Sequence, residues 1–190
     1  VAVLGLAQGW WGSGDVIGSS EGFRDEDAPR GAAEAGSWPE YGFDDRRTRA
    51  NPALALTPPF REVWSFDAGS LLEFPPVIDD GRAIVGTNDG LAIAVDASTG
   101  EQLWRTPLRG RVASSPALAG DTVLLTTTRG DLDVLDAATG ERRWRISLGS
   151  SSESSPLIVD GDAYVGTLDG EVIRVDLDTR RPVWRARAGG

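Results

Sequence analysis

The sequence predicts an all-β chain built from repeated four-stranded units, and three observations lead there. Trp64, Trp104, Trp144 and Trp184 stand forty residues apart without slippage. Pro76, Pro116 and Pro156 keep the same step, as do Gly90, Gly130 and Gly170, and Asp96, Asp136 and Asp176. Between these fixed points the chain runs in short β-branched or alternating apolar segments, and no stretch after residue 60 carries helical periodicity. Forty residues hold four such strands with their turns, and a repeated unit of this kind is the signature of β-propeller blades.

The second unit shows the strands most plainly: "SPALAG", "DTVLLTTT", "DLDVLD" and "RRWRISLG" in order. The turns "NDG", "TRG" and "LDG" (88–90, 128–130 and 168–170) sit between second and third strands, where a hairpin needs Gly at positive φ. "DASTG" and "DAATG" turn the chain into the fourth strand. Their Asp and Thr are placed to bond local amides, while Gly100 or Gly140 takes the left-handed position. Arg180 stands where the third unit lacks that Gly, which predicts a turn strained by about 1–2 kcal/mol or shaped differently. Each Trp then opens an outer strand, where its ring can wedge against the neighbouring blade and its N–H find a carbonyl. Pro182 fits only because that strand is outermost.

These readings place a partial propeller at 61–190, with blades at about 69–108, 109–148 and 149–188 and one leading outer strand, "REVWSFDA", at 61–68. Three blades make an open arc, whereas a ring of seven or eight needs about 280–320 residues. The chain is therefore expected to be part of a longer protein. Upstream, "VAVLGLAQGWW" (1–11) is too short to span a bilayer, yet ends in an aromatic pair suited to a membrane interface. It reads as the end of a signal anchor or signal peptide. Residues 12–37 are rich in Gly, Ser and carboxylates and read as an acidic flexible tether. Residues 38–60 are a lead-in whose structure begins at "WPEYGFDDRRTRANP", where aromatics and turn formers cluster.

Composition excludes several chemistries. With no Cys and no His there is no zinc site of the usual kind, no haem His, no thiol nucleophile and no Ser-His-Asp triad. A net charge of −10 argues against nucleic-acid binding, which needs a basic surface. All nineteen basic residues are Arg, which reads as the codon bias of a GC-rich, bacterial genome.

Two carboxylates stand out at the channel. Glu73 and Glu153 share one repeat position, three residues before Pro76 and Pro156, and Ala113 takes that place in the middle unit. First strands line a propeller's channel, so both are candidates for its mouth. Paired carboxylates suit a hard cation such as Ca²⁺ or acid–base work. A whole blade separates these two, however, and hydrated carboxylates at a rim are ordinary, so no catalytic, cofactor or metal residue is assigned. The serines of "RVASSPAL" and "SSSESSPL" are expected to face channel water.

"AVDASTGEQLW" resembles the tryptophan-docking repeat of pyrroloquinoline-quinone-type propellers, Ala-x-Asp-x-x-Thr-Gly-x-x-x-Trp, at Ala94, Asp96, Thr99, Gly100 and Trp104. "VLDAATGERRW" has Val134 at the first position and then follows the pattern. "RVDLDTRRPVW" keeps Asp176, Thr179 and Trp184 but lacks the Ala and Gly. The segment 38–52 is similar to the lead-in of this superfamily, so the resemblance covers 38–188. The superfamily includes quinone-dependent dehydrogenases, the outer-membrane assembly lipoprotein BamB, sensor propellers of membrane kinases and anchored extracytoplasmic proteins. The resemblance implies that the enzymes hold a quinone and a calcium or lanthanide ion in the channel, with carboxylate and amide ligands, a stacking Trp and a vicinal Cys pair. This chain has no Cys, and its Trp residues belong to the repeat or to the N-terminal region. The expectation is a non-catalytic, extracytoplasmic bacterial propeller without cofactor, BamB-like, that binds a protein or peptide partner. Its N-terminus would tether it to the cytoplasmic membrane, or it would be secreted after cleavage. A sensor ectodomain of a membrane kinase and a fragment of a quinone-dependent dehydrogenase are the alternatives.

Overall fold

In each repeat a short first strand, two apolar middle strands and a charged outer strand close into one antiparallel sheet. The computed structural model describes residues 36–187, so the expected signal segment and nearly all of the tether lie outside the described residues. The first blade comprises β1 (Val77–Asp79), β2 (Arg82–Gly86), β3 (Leu91–Asp96) and β4 (Gln102–Pro107). The second comprises β5 (Ala117–Ala119), β6 (Thr122–Thr126), β7 (Asp131–Asp136) and β8 (Arg142–Ser147), and the third β9 (Leu157–Val159), β10 (Asp162–Gly166), β11 (Glu171–Asp176) and β12 (Arg181–Arg187). Strands neighbour one another in chain order within each sheet. The architecture is all-β, a partial propeller of three blades. Among the described residues no helix is long and apolar enough to cross a membrane.

The turns follow from their residues. Gly90, Gly130 and Gly170 take φ of 78°, 78° and 85° in the β2–β3, β6–β7 and β10–β11 hairpins, a conformation that only Gly adopts without penalty. In the next turn Asp96 Oδ1 accepts from the amides of Ser98 and Thr99 at 2.8 and 2.9 Å, and Asp136 Oδ1 from those of Ala138 and Thr139 at 3.0 and 2.9 Å. Asp176 Oδ1 accepts likewise from the amide of Thr179 at 2.6 Å.

The fourth strand then slips by one residue at the same place in every blade. Ala94 faces Trp104 while Val95 faces Gln102, Val134 faces Trp144 while Leu135 faces Arg142, and Arg174 faces Trp184 while Val175 faces Pro182. Leu103, Arg143 and Val183 are the residues left over. Such a bulge adds local twist and re-aims the neighbouring side chain. Trp104 accordingly leaves its own sheet: its Nε1 donates to Ala137 O of the second blade at 3.0 Å. Trp64 does the same to Ala97 O of the first blade at 3.0 Å. The rings lie against Gly140 and Gly100, where an added Cβ would stand 2.6 and 2.7 Å from indole carbons. In the third blade Arg180 is left-handed, with φ of 60°, at a cost of about 1–2 kcal/mol for a residue with a Cβ. Trp144 is half-buried there, packed against the cluster of Ala163, Ile173 and Val175, and the described hydrogen bonds include none from its indole.

The core lies between blades. Val123, Leu125 and Leu135 of the middle blade pack on Val77, Ile84, Ala92, Ala94 and Trp104 of the first. From the same strands Leu124, Leu132 and Val134 pack on Ala163, Val165, Ile173 and Val175 of the third. Period-two alternation thus sends apolar side chains to both faces, which is why β6 reads as a continuous apolar run.

Residues 61–68, expected from the sequence as an outer strand, form no ladder among the described residues. A ladder needs a third strand alongside, and among the described residues none runs there. The segment is held by side chains instead: Trp64 on Ala97, Arg105 Nη2 donating to Ala68 O at 2.9 Å, and Trp64 and Phe66 packed on Ala83, Ile93 and Val95.

We propose that the docked indoles carry much of the cohesion between blades. Trp104 is 7% exposed, so Trp104→Ala is expected to lower the unfolding free energy by about 3–5 kcal/mol in urea titrations. Trp184 is 39% exposed and meets Tyr164 at 6.1 Å, so Trp184→Ala is expected to cost less than about 2 kcal/mol. Equal losses for the two would contradict the assignment.

Candidate functional site at the channel mouth

First strands of successive blades converge, and side-chain hydroxyls fill the narrow space between them. Ser115 N donates to Ser155 Oγ at 3.0 Å, and Ser115 Oγ donates to Pro75 O at 3.1 Å, each bond spanning one repeat. Ser114 Oγ and Thr126 Oγ1 lie 2.9 Å apart, and Thr126 Oγ1 donates to Ser154 O at 2.8 Å. Ser152 Oγ donates to Gly166 O at 2.8 Å. Ser114, Ser115 and Ser152 are buried, which corrects the expectation that these serines face channel water. The hydroxyls serve as inter-blade and intra-blade hydrogen bonds.

Just before those serines the space opens. Glu73, Phe74, Arg111, Ala113 and Glu153 line an open depression of about 400 Å³. Glu73, Ala113 and Glu153, which share one repeat position, are therefore brought to one mouth. Arg111, two residues ahead of Ala113, stands among them, with Nη2 3.3 Å from Glu153 Oε1. Both side chains are well hydrated, so the pair contributes less than about 1 kcal/mol. Its effect is on the site's charge: a fixed guanidinium sits among the carboxylates. The backbone beneath is firm, because Leu71 O, Arg111 O and Ser151 O accept from Asn88 N, Thr128 N and Leu168 N at 3.1, 2.9 and 2.8 Å. Sequence reading overlooked Arg111, although its register with Leu71 and Ser151 was available.

The other residues singled out by sequence lie away from the mouth. Asp96, Asp136 and Asp176 close turns, and Trp64 and Trp104 lie against turns of the next blade. Arg143, exposed by the bulge, reaches Asp121 at 2.6 Å and Asp136 at 2.7 Å. The Arg143 guanidinium and the turn amides hold the Asp136 carboxyl at about 2. Hydrogen bonds from Ser98 lower Asp96, and the Thr179 amide lowers Asp176.

The quinone and metal that the wider superfamily employs do not fit the residues at this mouth. Its charged groups are two carboxylates from blades one and three and an Arg already on one of them. No amide side chain lines the depression, and no group of three or more acidic residues among the described residues is placed to hold a metal ion.

Forty-residue blades, bulge-directed indoles and a serine-lined inner rim define the class: a pyrroloquinoline-quinone-like repeat propeller. Within it, the chain belongs to the family described as outer membrane protein assembly factor BamB, which matches residues 55–132 and 115–190. BamB of Burkholderia pseudomallei is 35% identical over 77 residues, 38% of this chain and 20% of that protein. A cytochrome c-dependent enzyme of Thauera butanivorans, 1-butanol dehydrogenase, is 33% identical over 78 residues, 38% of this chain and 11% of that protein. The crystal structure of BamB from Moraxella catarrhalis superposes with a TM-score of 0.59 at 30% identity, covering 66% of this chain and 39% of that one. The chain thus spans well under half the length of each of these relatives.

Asp136, with its carboxyl lowered from 3.8 to about 2, contributes stability that is present above 3.8 and lost as pH falls through about 2. Arg143→Ala removes the leading cause. Melting temperatures followed between about pH 2 and pH 7 are expected to show the variant below the wild type near neutrality, with the difference shrinking away as pH falls through about 2. A difference that does not change with pH would contradict the pairing.

Proposed function

We propose that this chain is part of a non-catalytic propeller outside the bacterial cytoplasm, tethered through its N-terminal segment, that binds a protein or peptide partner as an assembly scaffold in the manner of BamB. The observation that carries the reading is the composition of the mouth. Glu73, Arg111 and Glu153 form a mixed-charge rim around Phe74, and the neighbouring Leu71 and Leu72 are 60% and 41% exposed. A small apolar centre with a polar rim suits a polypeptide partner: the aromatic supplies burial, and charges of both signs supply register. Kinship with BamB supports the same reading, since that relative's name is that of an assembly factor. The similarity to 1-butanol dehydrogenase favours a second reading, a piece of a quinone-dependent enzyme, against which the mouth's donor set weighs.

The test is a photo-crosslinking side chain at Phe74 in the full-length protein, in cells. A discrete protein adduct is expected, weakened severalfold by Arg111→Glu. In parallel, the purified protein is supplied with pyrroloquinoline quinone and Ca²⁺ and assayed for alcohol-dependent dye reduction, where no turnover is expected. Turnover, or a crosslink pattern indifferent to Arg111, would overturn the proposal.

A further inference from the structure

The middle blade departs from its neighbours in two loops beside the mouth. Arg109, Gly110 and Arg111 stand where the first unit has Gly69, Ser70 and Leu71 and the third has Gly149, Ser150 and Ser151. In the hairpin that follows, Arg129 stands where the others have Asp89 and Asp169. At these places each flanking unit carries one Asp and no Arg, and the middle unit carries three Arg. In a chain of net charge −10 the local sign is reversed.

The backbone is reshaped to carry them. In the flanking units the left-handed residue of the loop is Gly69 or Gly149, at φ of 70° and 90°. In the middle unit it falls one place later, on Gly110, at 90°. Position 109 is thereby freed for a residue with a side chain. Gly110 also makes room for Arg129: an added Cβ there would stand 2.7 Å from Arg129 Cγ, so the Arg129 stem lies against this glycine, with Arg109 and Arg111 on either side of it in the chain. Thr128 N donates to Arg111 O at 2.9 Å and fastens the two loops together. All three arginines are exposed. Arg111 leans on Glu153 at 3.3 Å, while the guanidinium groups of Arg109 and Arg129 have no hydrogen bond or ion pair among the described residues.

Like charges gathered in this way repel, a cost that an anionic ligand relieves. The flanking blades limit which anion fits. Glu73 and Asp89 belong to the first unit, Glu153 and Asp169 to the third. A long polyanion or an anionic bilayer would meet those carboxylates too, whereas one or two carboxylates of a polypeptide fit within the middle blade. Guanidinium groups suit that ligand, since their paired N–H groups match the two oxygens of a carboxylate. Apolar contact is at hand as well: Phe74 lines the depression with Arg111, and Leu71 and Leu72 are exposed. We propose, resting on the reading of the mouth as a partner-binding surface, that Arg109 and Arg129, with Arg111 beside them, form a carboxylate-binding strip. It seats an acidic segment of the polypeptide partner, with an adjoining apolar side chain at Phe74.

Fluorescence anisotropy of the full-length protein tests the strip with two labelled synthetic peptides, one with Glu pairs flanking a Leu and one with Gln in place of each Glu. The wild type is expected to bind the Glu peptide about tenfold more tightly, a preference that shrinks severalfold between about 50 and about 300 mM salt. Arg109→Gly combined with Arg129→Asp restores what the flanking units carry, and is expected to abolish the preference. Phe74→Ser is expected to weaken both peptides alike. Equal binding of the two peptides by the wild type, a comparison that needs no variant to fold, overturns the strip. If Phe74→Ser still weakens both in that case, the mouth reading stands without it. Binding of neither peptide also overturns the strip, and the Phe74 crosslink then decides the mouth alone. Tighter binding to vesicles of anionic phospholipid than to the Glu peptide overturns a polypeptide as the occupant.

Discussion

The structure depends on one contact, an indole seated on the next blade's turn where glycine leaves room. The indole N–H needs an acceptor once buried, and the carbonyl of Ala97 or Ala137 supplies it. That carbonyl points outward because Asp96 or Asp136 has gathered the amides of its own turn. Two features of the repeat thus answer to one constraint: the Asp that shapes the turn and the Gly that admits the ring. Arg residues close the same seam farther out. Arg105 and Arg185, each directly after a Trp, donate to Ala68 O and Leu148 O of the preceding segment. In the middle blade Arg145 is drawn instead to Asp133, and Arg142 reaches Pro107 O in its place.

Much of this was legible in the sequence, because blade physics is local and repeats. Strand order followed from alternation, and the positive φ of Gly90, Gly130 and Gly170 from the demands of a hairpin turn. The exceptions are all non-local. Residues 61–68 have an outer strand's pattern but, among the described residues, no neighbour to pair with, and pairing is not a property of one segment. The serines looked hydrated because a one-dimensional pattern does not convey how closely first strands converge. Asp133 is fully buried where the other blades have Ile93 and Ile173, held by Arg142 and Arg145 at 2.7 Å each. Nothing in its own strand announced that. Glu40 sits in a polar-looking segment, and only the bridge of the lead-in to Ala117 of β5 makes it a buried acid.

The division between legible and illegible residues bears on function. The residues that identify the repeat are the ones that hold blades together, and the same repeat is similar both to an assembly factor and to a dehydrogenase. What is not repeated lies at the mouth: Arg111, which stands where the other units have Leu71 and Ser151, and Phe74 beside it. A fold that spends its invariant positions on cohesion leaves its inner rim free to vary.

The central claim is that ring and glycine act as one unit, and a double-mutant cycle between Trp104 and Gly140 tests it most directly. In the presence of the indole, Gly140→Ala meets both a left-handed φ of 72° and ring carbons at 2.6 Å. In a Trp104→Ala background the ring contact is gone, and what remains is the backbone cost of about 1–2 kcal/mol and the approach to Thr106 Oγ1 at 2.8 Å. The account predicts a coupling energy of about 1–3 kcal/mol, with Gly140→Ala milder once the ring is gone. Additive losses, with Gly140→Ala costing the same in both backgrounds, would contradict it.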